Sequence, residues 1–224
     1  MQLLLFAIAP ALVIIIYIYL KDKHEKEPRH LLIYNFLFGA IISIIVTTIL
    51  YFLFAEFFPP FLEKSVFDQF IKAFLMVGLI EEFSKYIIVR YYAQPKDAFN
   101  EPFDGIVYAV MVSMGFAVTE NIFYVFQYGM PTAITRAFTA VPAHASFAIL
   151  MGYFMGKAKF SKNKKMLNLL GLLLAVLFHG AYDFFLFIPF VPGIWIGAFI
   201  SLVIGLFLSR KAIKIHQENS HFKA

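Results

Sequence analysis

Several stretches of this chain exceed the run of about 18 apolar residues that crosses about 30 Å of hydrocarbon, and that demand for a bilayer constrains the fold more than any other feature. Hydrophobic residues make up 61% of the 224 positions, well above the share of about 45–50% in soluble domains. Inside a bilayer every backbone polar group must find its partner within the chain, so long apolar runs predict helices. The expected architecture is all-α: a single membrane-embedded domain over residues 1–224, a bundle of about seven spans. They are placed at 3–20, 31–58, 67–92, 105–128, 131–156, 166–188 and 192–209. The first has no basic leader before it and no small-residue cleavage site after it, which predicts a retained anchor.

The breaks between spans carry turn and charge chemistry. Residues 21–30 are charged, Pro59 and Pro60 stop a helix, Gly129 and Pro131 make a turn, five lysines fall within 157–165, and Pro189 and Pro192 end the sixth span. With seven spans, most of the 19 lysines and arginines lie on one side, in the loops after the first, third and fifth spans and in the C-terminal segment. The positive-inside rule makes that side cytoplasmic, with the N-terminus outside and the C-terminus inside. The net charge of +5 is dispersed over these loops with no nucleic-acid motif, so no nucleic-acid partner is expected. Cysteine is absent, which excludes disulfides, thiolate ligands, a cysteine nucleophile and lipidation on cysteine.

Ionisable residues at mid-membrane cost at least about 2.5–3.5 kcal/mol each, which makes them functional candidates. The third span carries Glu81, Glu82 and Lys85, the fourth Glu120 and Asn121, the fifth His144, and the sixth His179 and Asp183. Counted along their helices at about 1.5 Å per residue, Glu81, Glu120, His144 and His179 all lie about 20 Å in. Four helices therefore offer polar groups at one level. Glu81 and Lys85 are spaced i,i+4 and Glu82 and Lys85 i,i+3, so one carboxylate can neutralise the lysine and leave the other as base or ligand. His179 and Asp183 are also i,i+4, a pair that either fixes the imidazole tautomer or leaves Asp183 as a separate polar contact. A Glu, Glu, His, His set suits a general base with metal ligands, and a His₂Glu site with an open position is a catalytic zinc pattern. The same residues suit proton or ion conduction. Asn121 reads as a structural hydrogen-bonding residue, Arg136 as a side chain that snorkels to the interface in preference to meeting a substrate, and Gly115, Gly152 and Gly156 as points of close helix contact.

The motifs also resemble those of a known family. Glu81-Glu82-Phe83-Ser84-Lys85 looks like the EExxK motif of the PrsW intramembrane proteases. The segments Glu101-Pro102-Phe103-Asp104-Gly105-Ile106-Val107-Tyr108 and Gly115-Phe116-Ala117-Val118-Thr119-Glu120-Asn121 resemble its EPxDGxxY and GFxxxEN. Pro142-Ala143-His144-Ala145 with Gly152-Tyr153, and His179-Gly180-Ala181-Tyr182-Asp183, resemble its remaining signatures. The family is similar in turn to the type II CAAX prenyl endopeptidases, with EExxxR, FxxxH and HxxxN. Here Lys85 comes one residue earlier than the Arg, Glu120 stands where the His would be, and Asp183 replaces the Asn.

The resemblance implies a CAAX-protease-like core and peptide hydrolysis. It implies Glu81 as general base, Glu82 and Lys85 as its organisers, Glu120, His144 and His179 as ligands of a metal such as Zn²⁺ or of the transition state, and Asp183 as the support of His179. It further implies a bacterial-type plasma membrane and a single-span substrate of the anti-sigma factor class, cut first near the outer face. The alternative is a transporter of protons, ions or small solutes using the same buried cluster.

Overall fold

A computed structural model describes residues 2–58 and 60–223. Its helices are α1 (Gln2–Lys21), α2 (Arg29–Ala55), α3 (residues 66–93), α4 (Pro102–Tyr128), α5 (Met130–Phe138), α6 (Ala140–Lys159), α7 (Lys164–Phe187) and α8 (Ile196–Glu218). Six stretches, with α5 and α6 counted as one, are long and apolar enough to cross a membrane. The seventh crossing, α3, fails that test because it carries the charged residues Asp68, Lys72, Glu81, Glu82, Lys85 and Arg90. The expectation of about seven spans thus holds. Pro59, expected to help end the second span, lies outside the described residues, and α2 already ends at Ala55.

Local chemistry sets several boundaries. The Ser65 hydroxyl accepts from the Asp68 N–H at 3.2 Å and caps α3. α4 starts at Pro102, earlier than the apolar run, because Glu101 and Asp104 form a reciprocal capping box around a proline at the first helical position. The fifth span, expected to be continuous, breaks at Thr139. Pro142 has no N–H for the Phe138 carbonyl and its ring crowds that oxygen, so α5 must end there. α8 runs past its expected end because Ala212, Ile213 and His216 stay buried while Arg210, Lys211 and Lys214 point outward.

α4 is the central helix, packed on α1, α2 and α6, and α6 in turn packs on α7 and α8. Small residues allow this. A Cβ built on Gly152 would fall against the Gly105 carbonyl oxygen, and one on Gly115 against that of Phe36, which bears out their reading as points of close approach. Gly152→Ala is expected to cost about 1–3 kcal/mol by forcing α4 and α6 apart. A melting temperature in detergent equal to that of the wild type would refute this. Many large apolar side chains, Phe52, Phe123, Phe199 and Phe207 among them, face outward, as lipid-facing surface does.

The basic loops meet at one end of the bundle. Lys159 Nζ donates to the carbonyls of Gln94 (2.7 Å) and Lys96 (3.2 Å), Tyr108 OH donates to Glu27, Gln217 donates to the Lys21 carbonyl and Ser220 to Glu101. At this end burial pushes the Asp22 carboxyl up to about 7 and, with the Asp104 charge added, the Glu27 carboxyl up to about 10. The start of α1 lies at the other end, where Leu3 and Ala7 pack with Val125, Met130 and Ala133.

Candidate active site

The glutamates of α3 come after a widened, π-type stretch, Lys72–Leu79, and the regular turns Ile80–Ile88 carry Glu81, Glu82 and Lys85. Such wide turns insert an extra residue and rotate the next turns of the helix, and they recur at functional sites. α2 has a similar stretch at Gly39–Ser43. There Ser43 shares a 2.6 Å hydrogen bond with Ser84, Thr47 donates to Ser84 at 2.9 Å, and Ser84 donates to the Glu81 carbonyl at 2.7 Å. This hydroxyl cluster locks α2 to α3 directly behind the glutamates.

The two glutamates take different places. Glu81 lines a cavity of about 510 Å³ together with Tyr51, Glu120, Arg136, His144, His179 and Asp183. Its Oε1 accepts from Tyr51 OH at 3.0 Å. Its Oε2 is buried with no hydrogen-bond partner among the described residues, 3.6 Å from Lys85 Nζ and 3.9 Å from His179 Nε2. Glu82 is fully buried; its Oε1 accepts from Lys85 Nζ at 2.7 Å and from His179 Nδ1 at 2.8 Å. Lys85 also lies 4.1 Å over the Phe116 ring and 3.4 Å from His144 Nδ1.

Each histidine leans on a carboxylate. His179 gives Nδ1–H to Glu82, which leaves Nε2 toward Glu81 and toward Asp183 Oδ2 at 3.3 Å, and its ring stacks on Phe147 at 5.0 Å. His144 directs Nε2 to Glu120 Oε2 at 2.9 Å, which leaves Nδ1 on the inner side. The two rings stand edge to face at 5.2 Å. A carboxylate on one imidazole nitrogen fixes the tautomer and frees the other nitrogen, the arrangement found behind metal-binding histidines.

Glu81, His144 and His179 each place one donor atom within 4.8 Å of the others. This trio differs from the expected Glu120, His144, His179 set. Glu120 is held from behind, by His144 and by Arg136 Nη2 at 2.7 Å, and acts as the partner of an imidazole. The donor chemistry fits a metal: two imidazoles and one carboxylate, with a buried carboxylate oxygen that makes no hydrogen bond among the described residues. Charge agrees, because among the described residues the carboxylates of Glu81, Glu82, Glu120 and Asp183 meet two permanent cations, Lys85 and Arg136, besides the imidazoles of His144 and His179, and a divalent ion balances the excess.

Arg136 does not snorkel. The break at Thr139 leaves α5 with its own direction, and Arg136 reaches Glu120, donates from Nε to Asn121 Oδ1 at 2.6 Å and lies 4.2 Å over the Tyr124 ring. Asn121 donates in turn to the Ala7 carbonyl at 3.2 Å, tying α1, α4 and α5 together as a structural residue would. Tyr51, Ser43 and Thr47 had no sequence signal, being uncharged residues in a strongly apolar helix.

The PrsW family intramembrane metalloproteases match this chain over residues 27–209. The chain is 39% identical over 194 residues to Protease PrsW of Geobacillus kaustophilus (strain HTA426), covering 86% of this chain and 83% of that protein. It is 36% identical over 201 residues to Protease PrsW of Bacillus subtilis (strain 168), covering 84% and 88%. It is also 36% identical over 201 residues to Protease PrsW of Clostridioides difficile (strain 630), covering 85% and 81%. No solved structure matches. The buried Glu/His cluster thus sits in a membrane peptidase, and the chain belongs to the PrsW family of intramembrane metalloproteases.

Proposed function

We propose that this peptidase cuts a single-span membrane protein of the anti-sigma factor class as the first step of regulated proteolysis, with Glu81 taking the proton of the attacking water. The observation that supports the site assignment best is Glu81 Oε2, a buried carboxylate oxygen of a cavity-lining residue that makes no hydrogen bond among the described residues and has Lys85 Nζ 3.6 Å away. Glu82 holds Lys85 and His179, Tyr51 fixes the other oxygen of Glu81, and Glu120 with Arg136 fixes His144. Lys85, close to Glu81 and His144, supplies positive charge beside the oxyanion that forms when water adds to the peptide carbonyl.

Glu81, His144 and His179 would hold a Zn²⁺, which would polarise the scissile carbonyl and bring the pKa of bound water to about 7. A carboxylate has about four lone-pair positions, so Glu81 can serve as a ligand through one oxygen and accept a proton on the other. Asp183 Oδ2 lies 3.3 Å from His179 Nε2, beside the nitrogen that would meet the ion, and there adds negative charge to the site.

The basic loops mark the cytoplasmic end under the positive-inside rule, with the N-terminus outside. His179 is then eight residues from the outer end of α7 and Glu120 eight from that of α4, about 12 Å at 1.5 Å per residue. A cut near the outer face is the consequence of that depth. The test is the protein in liposomes with candidate single-span substrates, the new termini read by mass spectrometry and a zinc chelator added in a parallel arm. Termini in the outer half of the substrate span, and loss of cleavage with chelator, are the expected results. Termini in the cytoplasmic half would overturn the orientation, and chelator-resistant cleavage by metal-free protein would overturn the zinc assignment.

A further inference from the structure

At the opposite end of α4 lies a second group of acids that peptide hydrolysis does not use. The loop between α1 and α2 folds against the start of α4 and brings Asp22, Glu25 and Glu27 to Asn100 and Asp104. Asp22 is 1% exposed, Glu27 2% and Asp104 0%. Each residue leaves oxygen unspent: both carboxylate oxygens of Asp22, Glu25 Oε2, Glu27 Oε1, Asn100 Oδ1 and Asp104 Oδ1 are buried without a hydrogen-bond partner among the described residues. Glu25, Glu27 and Asp104 each place one oxygen within 4.8 Å of the others.

The other oxygens are firmly held. Asp104 Oδ2 accepts from the N–H groups of Asn100 (2.7 Å) and Glu101 (2.8 Å), and Glu27 Oε2 accepts from Tyr108 OH. One oxygen fixed by the protein and one left free is how carboxylate ligands are oriented around an ion. Among the described residues no lysine or arginine forms an ion pair with these carboxylates, although Lys26 and Lys159 lie near. Lys26 donates its hydrogen bonds to the carbonyls of Tyr19 and Asp22, and Lys159 donates to those of Gln94 and Lys96. Burying several carboxylates together is costly, and either proton uptake or a bound cation relieves it.

We propose that Asp22, Glu25, Glu27, Asn100 and Asp104 form a second metal site, which binds one hard divalent cation, Mg²⁺ or Ca²⁺, and pins the α1–α2 loop to the start of α4. The donor set is all oxygen, carboxylates with one amide, which selects these ions over zinc. Glu25, the partly exposed member, gives the ion its way in. The site also sits where the C-terminal segment docks, through Ser220 on Glu101 and Gln217 on the Lys21 carbonyl. Asp104 is 16 residues from Glu120 along α4, about 24 Å at 1.5 Å per residue, so the two sites are separate.

The test is thermal unfolding of the full-length protein in detergent with added Mg²⁺ or Ca²⁺, alongside calorimetric titration of each ion. At a hundredfold excess over Kd the wild type is expected to melt about 5 °C higher, with one ion bound. Glu27→Gln and Asp104→Asn are expected to abolish the shift. If these fail to fold, Glu25→Gln, at the rim, is expected to weaken ion binding at least about tenfold, the change that loss of 1.4 kcal/mol of binding free energy brings. His179→Ala, in the active site, is expected to keep the full shift. Absence of a shift with either ion at 10 millimolar or so, or a shift that survives Glu25→Gln and Glu27→Gln and vanishes in His179→Ala, would overturn the proposal.

Discussion

Glu81→Gln is expected to lower kcat/KM for peptide cleavage by at least about 10³-fold while leaving the protein folded. The substitution keeps the size of the side chain and an oxygen to accept from Tyr51 OH, and it leaves the Glu82–Lys85 pair intact. It removes the negative charge and the proton-accepting Oε2, a buried oxygen of a cavity-lining residue that makes no hydrogen bond among the described residues. General acid–base catalysis by a positioned group contributes about 10²–10⁴-fold, and losing a metal-binding carboxylate adds to that. The melting temperature is expected to stay close to that of the wild type, because Lys85 keeps its shorter pairing with Glu82 at 2.7 Å. Cleavage within about tenfold of the wild type, in a variant that melts normally, would remove Glu81 from the centre of the mechanism.

The legible and the illegible parts of the sequence divide along a physical line. Apolar length declares a crossing wherever the helix is lipid-facing, so most of the spans could be read directly. α3 gave a weaker signal because its charges lower its hydropathy, and those charges are the site. Pairs within one helix were also readable: Lys85 to Glu81 and Glu82, and His179 to Asp183, are dictated by i,i+3 and i,i+4 spacing alone.

Partners on different helices were not readable, because helical phase does not say which faces meet. Depth counting put Glu120 beside the histidines, and it is there, but the count could not show that it approaches His144 from behind with Arg136 already attached. That fact moves the candidate metal set to Glu81, His144 and His179. A continuous fifth span predicts Arg136 at the interface, whereas with the helix broken before Pro142 its guanidinium meets Glu120 and Asn121. Tyr51, Ser43 and Thr47 brace the glutamates from an apolar helix whose sequence gives no reason to single them out.

Glu82→Gln is expected to be the most destabilising conservative change in the site, at about 3–5 kcal/mol, the cost of leaving a buried charge without its partner. Glu82 Oε1 serves Lys85 Nζ and His179 Nδ1 at once, and both Glu82 and Lys85 are almost wholly buried. With the carboxylate gone, the ammonium has only Glu81 at 3.6 Å, and the imidazole loses the charged acceptor that fixes its tautomer. For a chain of this size the expected fall in melting temperature is about 10 °C.

The double variant Glu82→Gln/Lys85→Met separates the two roles of the pair. Removing both charges removes the unpaired ammonium, so more than half of the lost stability is expected to return, a coupling that a double-mutant cycle reads directly. Activity is expected to stay lost in the double variant, because neither the acceptor behind His179 nor the positive charge beside Glu81 has been restored. If Glu82→Gln melts within about 2 °C of the wild type, the pair does not hold α3 together. If the double variant recovers cleavage along with stability, Glu82 and Lys85 are scaffold alone, and orientation of His179 rests on Asp183.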